Sequence, residues 1–481
     1  MIPLHNIIRP LNKNLKNYPN LLINNIKSDS NKVLKGDLFI AISGNKVDGH
    51  NYIKKAINAG ASAIVTNNLN IKEISIPQIK VKDSRIAISK IASEFYGKPS
   101  KKLVVIGITG TNGKTTTACL ITSILKEAGY KVAQFGTLGI MADEIKSKNS
   151  LTTPDPITLH KNFSILLKKK FTHIVMEVSS HALDQYRVND IDFNLAIFTN
   201  LTEEHLDYHK SFNSYYLAKS KLFEMLSEKA ISVINNSSKY GTKLNFISKG
   251  ISTTFSNSNK SDIYFKNLKL SLKGIYGTVI ANDKKYNIKS NLIGDFNSEN
   301  ILAAISCAHM LKIKKNIIQN AIKKCKSIAG RMEVFNLKSG AIAFIDYAHT
   351  PDAYKKVLNT LKKLIPSSNN IYVLFGAGGD RDKLKRPKMA AISENFATHS
   401  FIVPDNPRFE NPDKIAKDII SGFVNNNYTV FKDRDNGLKT VLNKSKENDV
   451  ILILGKGREN FQKIGNKKIY QSDLDIIKNY Q

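Results

Sequence analysis

Residues 103–117 read Leu-Val-Val-Ile-Gly-Ile-Thr-Gly-Thr-Asn-Gly-Lys-Thr-Thr-Thr. The run 103–108 is apolar apart from one glycine, the pattern of a strand buried on both faces. Residues 115–128 carry a helical pattern that Gly129 stops. The segment therefore predicts strand, loop and helix in immediate succession. Glycines let the backbone N–H groups of such a loop face a phosphate, Lys114 brings positive charge to the terminal phosphates, and the Thr115 hydroxyl suits Mg²⁺. The strict GxxxxGK[ST] spacing is broken by Ile108, so the loop is Gly110-x-x-Gly113-Lys114-Thr115. Gly110, Thr111, Asn112, Gly113, Lys114, Thr115 and Thr116 are the candidate phosphate contacts.

Outward from this loop, strand-like runs at 173–178, 195–199 and 230–234 alternate with helical stretches, the signature of a parallel α/β sheet. Residues 241–290 are less regular, with β-rich pieces such as 263–265 that predict a small antiparallel appendage. Upstream, the breaker cluster Gly97, Lys98, Pro99, Ser100 closes a first segment with strands at 38–43 and 63–67 and a helix at 86–96. From about Met332 strands at 341–345, 371–375, 401–403 and 450–454 alternate with helices at 351–364, 386–396 and 412–424, as in a doubly wound sheet. The expected fold class is α/β in three domains: an N-terminal α/β domain (1–99), a central P-loop-type parallel-sheet domain (100–331) and a C-terminal Rossmann-like domain (332–481). No repeat of solenoid period interrupts this plan.

The formal charge is +32, from 72 Lys and Arg against 40 Asp and Glu. Such a balance invites a nucleic-acid reading, because Lys and Arg displace counterions from phosphates. The basic residues are mostly Lys spread along the chain, and there is no Trp, whereas a dedicated nucleic-acid surface clusters Arg and Lys with aromatics. Attraction of small anionic substrates is expected instead, with no specific nucleic-acid partner. No run approaches the ~18 apolar residues of a spanning helix, and the opening MIPLHNIIRPLNKN lacks an apolar signal core. A cytoplasmic protein not inserted in a membrane is expected. Cys119, Cys307 and Cys325 form no CxxC pair, which argues against both a disulfide framework and a thiolate zinc site.

Charged motifs fall at the ends of the predicted strands. Glu177-Val-Ser-Ser-His-Ala-Leu-Asp-Gln-Tyr-Arg187 follows one, Thr199-Asn-Leu-Thr-Glu-Glu-His-Leu-Asp-Tyr-His209 another, and Tyr215-Tyr-Leu-Ala-Lys-Ser-Lys-Leu-Phe223 lies on a predicted helix. A carboxylate at a strand end beside a phosphate loop is well placed for Mg²⁺. In the third segment, Asp346-Tyr-Ala-His-Thr-Pro-Asp352, Gly376-Ala-Gly-Gly-Asp-Arg-Asp382, Asp405-Asn-Pro-Arg408 and Gly455-Lys-Gly-Arg-Glu459 each follow a strand. Open α/β sheets bind ligands outside their carboxyl ends, so these four motifs converge on one rim.

GTNGKTTT and the motifs that follow it resemble the Mur ligase superfamily, a group that includes the folylpolyglutamate synthases, over nearly the whole chain. The resemblance implies ATP-dependent amide-bond formation, in which a carboxylate is activated as an acyl phosphate and an amine displaces phosphate. It implies ATP and Mg²⁺, with Lys114, Lys219, Glu177 and His205 as catalytic residues. Thr115, Glu177 and His205 would serve the metal, joined by Lys219 if that lysine is carbamylated; the YxxAKxxLF context singles it out from Lys221. Gly294-Asp-Phe-Asn-Ser-Glu-Asn300 resembles the family's GxFNxxN element, which puts Asn297 near the adenosine, and Gly330-Arg-Met-Glu333 marks the hinge into the third domain.

Within the family the chain is similar to the branch that adds meso-2,6-diaminopimelate to UDP-N-acetylmuramoyl-L-alanyl-D-glutamate in peptidoglycan synthesis. By that resemblance Ser28, Ser30, Asn45, Lys46 and Val47 contact UDP, so that 1–99 is a UDP-binding domain. Leu151, Thr152, Thr153, Ser179, Gln185 and Arg187 contact the muramoyl peptide, and Arg381, Asp405, Asn406, Pro407, Arg408, Gly455 and Glu459 contact diaminopimelate. The planar fork of Arg408 suits the second carboxylate, which lysine lacks. A monomer is expected. The sequence departs from the family pattern at Arg458, where His is common, at Glu204 (Asp), at Ala377 (Cys) and at Asn235-Asn236 (acidic residues), and Arg458 stands to alter the charge beside Glu459. Three alternatives stay open: a lysine-adding relative, a basic phosphate-loop ATPase stimulated by nucleic acid, and an inactive scaffold. The presence of every charged site residue counts against the last.

Overall fold

The computed structural model describes residues 1–11, 14–44, 47–68, 74–143, 145–147, 151–282 and 284–481. They form two compact units, Met1–Gly110 with Leu125–Thr199 and Asn213–Thr254, and Thr111–Ile124 with Asn200–Phe212 and Phe255–Gln481.

The first unit begins with a parallel sheet of Ile26–Lys27, Leu38–Ile40, Ala63–Thr66 and Gln78–Lys80, in that order. The helix Ser84–Phe95 packs Ala87, Ile88, Ile91 and Ala92 on one face of it, a stripe at helical spacing. Asp83 caps that helix by accepting from Arg85 N at 2.7 Å. A second sheet sets Val132–Gly136, His173–Glu177, Val104–Thr109, Leu195–Phe198 and Ile231–Asn235 side by side, all parallel. Val132–Gly136, His173–Glu177 and Leu195–Phe198 are buried at every position, which is why their sequences show no alternation.

The second unit contains the antiparallel meander Ile263–Ser271, Gly274–Ala281 and Lys284–Ser290, in the stretch where an antiparallel appendage is expected. It also contains a six-stranded sheet in the order Glu333–Asn336, Ile342–Asp346, Val450–Leu454, Ile371–Phe375, His399–Ile402, Tyr428–Val430. The first pair is antiparallel and the rest are parallel. Helices Pro351–Leu364, Lys385–Phe396 and Pro412–Ile420 fill one face, and Arg434–Lys444 and Asp473–Lys478 the other, the doubly wound arrangement. The third of these helices stops four residues short of the expected 424, at a turn through Ser421 and Gly422. A hairpin of Phe461–Ile464 and Lys467–Tyr470 follows the last parallel strand. Among the described residues no helix is long and apolar enough to cross a membrane.

Candidate functional site

The strand Val104–Thr109 ends at the phosphate loop, and the helix Lys114–Glu127 starts directly after it. Within the second unit the loop is shaped by the Thr199–His209 motif. Thr111 N donates to Asn200 O at 2.9 Å, Asn112 N to Asn200 Oδ1 at 2.9 Å, and Thr202 N to Thr111 Oγ1 at 2.9 Å. Lys114 Nζ is folded onto Thr111 O at 2.8 Å, and Arg331 Nη2 donates to Thr115 Oγ1 at 3.3 Å. Gly113 has φ +87°, and a Cβ there would overlap the Asn300 side chain. Asn300 in turn donates to Asn297 Oδ1 at 2.9 Å, and Asn297 to Ile293 O at 2.7 Å. Asn297 thus sits behind the loop as a support, through Asn300. Asn200, Asn300 and Arg331 lie within motifs quoted above, yet their loop-shaping contacts left no sign in the sequence.

His205 adopts φ +57°. Glu204 beside it lies 3.8 Å from His205 Nε2 and 3.6 Å from His349 Nε2. Burial works to raise the Glu204 pKa, but the His349 hydrogen bond and the charges of His205, His349 and Lys114 bring it down to about 2. Lys385, unassigned in the sequence, donates to His349 O at 2.9 Å, and burial lowers its pKa.

In the first unit Lys219 is buried on the helix Phe212–Glu224. Its Nζ donates to Gly110 O at 2.8 Å and lies 4.4 Å from the centre of the Tyr215 ring. Glu177 ends its strand fully buried, accepting from Thr137 N at 3.0 Å and Thr137 Oγ1 at 3.2 Å. Gly136 permits this approach, since a Cβ there would overlap the carboxylate. Thr153 Oγ1 donates to Glu177 O at 2.9 Å and accepts from Ser179 N at 3.0 Å. Arg187 Nη1 donates to Thr153 O at 3.0 Å, and its Nε to Gln185 Oε1 at 3.1 Å. Thr153, Ser179, Gln185 and Arg187 are therefore brought together. A cavity of about 330 Å³ is lined by Ser28, Gln185 and Arg187, by Asp155, which ends the Leu151-Thr-Thr-Pro-Asp155 stretch matched to the muramoyl-peptide contacts, and by Arg85, which the sequence did not single out. Ser30 is buried in a turn and does not line it; Val47 and Leu151 are exposed, and Thr152 Oγ1 lies 3.4 Å from Thr137 Oγ1. Asn45 and Lys46 lie outside the described residues.

The rim of the six-stranded sheet, in the second unit, gathers the remaining candidates. Asn406 Nδ2 donates to Glu459 Oε2 at 2.9 Å, which joins two of the strand-end motifs. Gln462 Nε2 donates to Asp405 O at 2.7 Å and Lys463 N to Asn406 Oδ1 at 2.8 Å, so the unforeseen hairpin grips the Asp405–Arg408 loop. Arg408 has φ +54°; its N donates to Lys463 O at 2.9 Å and its Nη1 to Gly379 O at 2.5 Å. Pro407 packs against Gly379, Gly455 against Asp405, and Arg381 is exposed on the Gly376–Asp382 loop. Arg458 turns to Glu333, bonding it through Nε at 2.6 Å and also through Nη2. Its charge is thus taken up by Glu333, whose other hydrogen bond comes from Gly330 N at 2.9 Å.

A phosphate-type loop joined to a doubly wound sheet with a polar rim defines a multidomain α/β enzyme class that handles nucleotides. Three family models match the chain in succession: the Mur ligase family catalytic domain at residues 22–96, the Mur ligase middle domain at 108–308 and the Mur ligase glutamate ligase domain at 330–457. A relative from Aquifex aeolicus, named UDP-N-acetylmuramoyl-L-alanyl-D-glutamate--2,6-diaminopimelate ligase, is 41% identical over 95% of this chain and 93% of its own. One of the same name from Caldanaerobacter subterraneus is 38% identical over 99% and 98%. A solved structure of that name superposes with a TM-score of 0.69 at 28% identity, covering 95% of this chain and 94% of its own. The chain belongs to the Mur ligase family. A MurF ligase from Thermotoga maritima, solved in complex with ADP, shares the fold at a TM-score of 0.65 and 18% identity, covering 91% of this chain and 95% of its own.

Proposed function

We propose that this ligase uses ATP and Mg²⁺ to add meso-2,6-diaminopimelate to UDP-N-acetylmuramoyl-L-alanyl-D-glutamate, acting as a cytoplasmic monomer in peptidoglycan synthesis. The observation that carries the amino-acid assignment is Arg408, held in a left-handed conformation on a loop locked to Glu459 and to the hairpin. Its guanidinium meets the distal carboxylate that distinguishes diaminopimelate from lysine, while Asp405, Asn406 and Glu459 receive the ammonium groups. The domains divide at 99/100 and 331/332.

The loop Gly110–Thr116 cradles the ATP phosphates, with Lys114 released from Thr111 O to reach them. Thr115, Glu177 and His205, with Lys219 if carbamylated, are the residues that would hold Mg²⁺, and the ion would supply neutralisation of phosphate charge. Ser28, Gln185 and Arg187 hold the UDP-linked peptide so that its D-glutamate carboxylate attacks the γ-phosphate, forming an acyl phosphate as ADP leaves. The amine of diaminopimelate then attacks the acyl carbon, and phosphate leaves. Product mass, measured with ATP, Mg²⁺ and the UDP-linked dipeptide in parallel tubes of diaminopimelate and lysine, tests this. Product from diaminopimelate alone is expected; product from lysine alone overturns the role of Arg408, and product from neither overturns the reaction.

A further inference from the structure

We propose that Arg434 is a positioning residue for the incoming amino acid, a single buried guanidinium that fixes the spacing of the two loops that bind it. The inference rests on the amino-acid site proposed above. Arg434 opens the helix Arg434–Lys444 and is only 2% exposed. Its Nε and Nη2 bond the two carboxylate oxygens of Asp473 at 2.8 and 2.7 Å. Nη2 also reaches Leu454 O at 3.4 Å, and Nη1 reaches Pro404 O at 3.5 Å. Those carbonyls belong to the residues immediately before Gly455 and Asp405, so one planar group touches the base of both loops.

The other side of the pair is equally fixed. Asp473 opens the helix Asp473–Lys478, is 1% exposed, and accepts a further bond from Gln471 Nε2 at 2.9 Å. Each carbonyl contact is long and weak by itself, but all come from one rigid, charged donor in a buried setting. A lysine ammonium has no fork with which to address the four acceptors together. A buried ion pair adds little net stability over an apolar pair of the same volume. Its consequence is positional: the Asn406–Glu459 bond spans the same two loops, and a shift between them opens it.

The experiment is steady-state kinetics on the full chain. Wild type is run first, since failure to make product from diaminopimelate refutes the site and not the clamp. Arg434→Lys keeps the charge and loses the fork; the double variant Arg434→Met/Asp473→Leu removes both charges and leaves neither orphaned. Both are expected to raise the KM for diaminopimelate about tenfold or more, with the KM values for ATP and the UDP-linked peptide within about twofold of wild type. A double variant with an unchanged diaminopimelate KM overturns the proposal. So does a parallel rise of all three KM values, or a double variant that does not fold, because either makes the pair a stability element.

Discussion

Neither ring nitrogen of His160 has a hydrogen-bond partner among the described residues, and burial pushes its pKa down to about 4. Burial does the same to His173. A histidine in an unfolded chain titrates near about 6.5. Between that value and 4 the unfolded chain binds more protons, so the stability tied to the neutral rings is full above pH 6.5 and is lost as pH falls toward 4. Melting temperatures measured from pH 7.5 to 4.5 should fall through this window, and His160→Phe should flatten the slope; an unchanged slope would clear His160 of responsibility. Tyr354 is a second orphan: its hydroxyl, fully buried against Phe375, has no partner among the described residues. Tyr354→Phe should therefore raise stability by about 1 kcal/mol, and a loss of that size in chemical denaturation would reveal a bond to the hydroxyl. At the rim, Arg408→Ala should raise the diaminopimelate KM about a hundredfold and narrow the preference over lysine, read by competition between the two amino acids.

Among the elements, the helix Pro156–Lys168 depends on Asp155, which accepts from Thr158 N at 3.0 Å and from Thr158 Oγ1 at 2.6 Å. Asp155→Ala should cost about 1 kcal/mol of stability while Asp155→Asn recovers most of it, as measured by denaturant titration. The strands Ile371–Phe375 and Val450–Leu454 and the helix Pro351–Leu364 match their expected limits residue for residue. Each strand is five buried residues in a row, and the helix starts with a Thr350 cap and proline in its first turn, so composition and geometry coincide. The helix Arg434–Lys444 has Gly437 as its fourth residue, and the hairpin Phe461–Ile464 with Lys467–Tyr470 has Gln or Lys at half of its eight strand positions. In the helix only Leu438, Val441 and Leu442 keep helical spacing, and in the hairpin the strands are too short for sustained alternation, so little pattern is left for such reading. The same limit applies to the site. Arg408, Asp405 and Glu459 stand in motifs, whereas Arg434 and Asp473 look like surface charges until the sheet is closed around them.

At the scale of the whole molecule the +32 charge outweighs any single pair in its reach. Screening shortens that reach from about 10 Å at 0.1 M salt to about 3 Å at 1 M. The KM values for ATP and the UDP-linked peptide, both polyanions, should accordingly rise several-fold across that range; values indifferent to salt would mean that the charge takes no part in capture. The family match extends over all three segments, and the doubly wound and parallel sheets expected from the sequence are present. The order of strands in the six-stranded sheet was not legible, because alternation along the chain leaves spatial order open. That order has a consequence for synthesis. Val450–Leu454, between Ile342–Asp346 and Ile371–Phe375, is the last of the six strands to leave the ribosome. Until it emerges, two strands that begin roughly 110 and 80 residues earlier have an open slot between them, lined with unpaired backbone groups. The nascent chain is most exposed to wrong pairing in that interval, and a translation stall or a cut shortly before residue 450 removes the middle of a sheet rather than a tail.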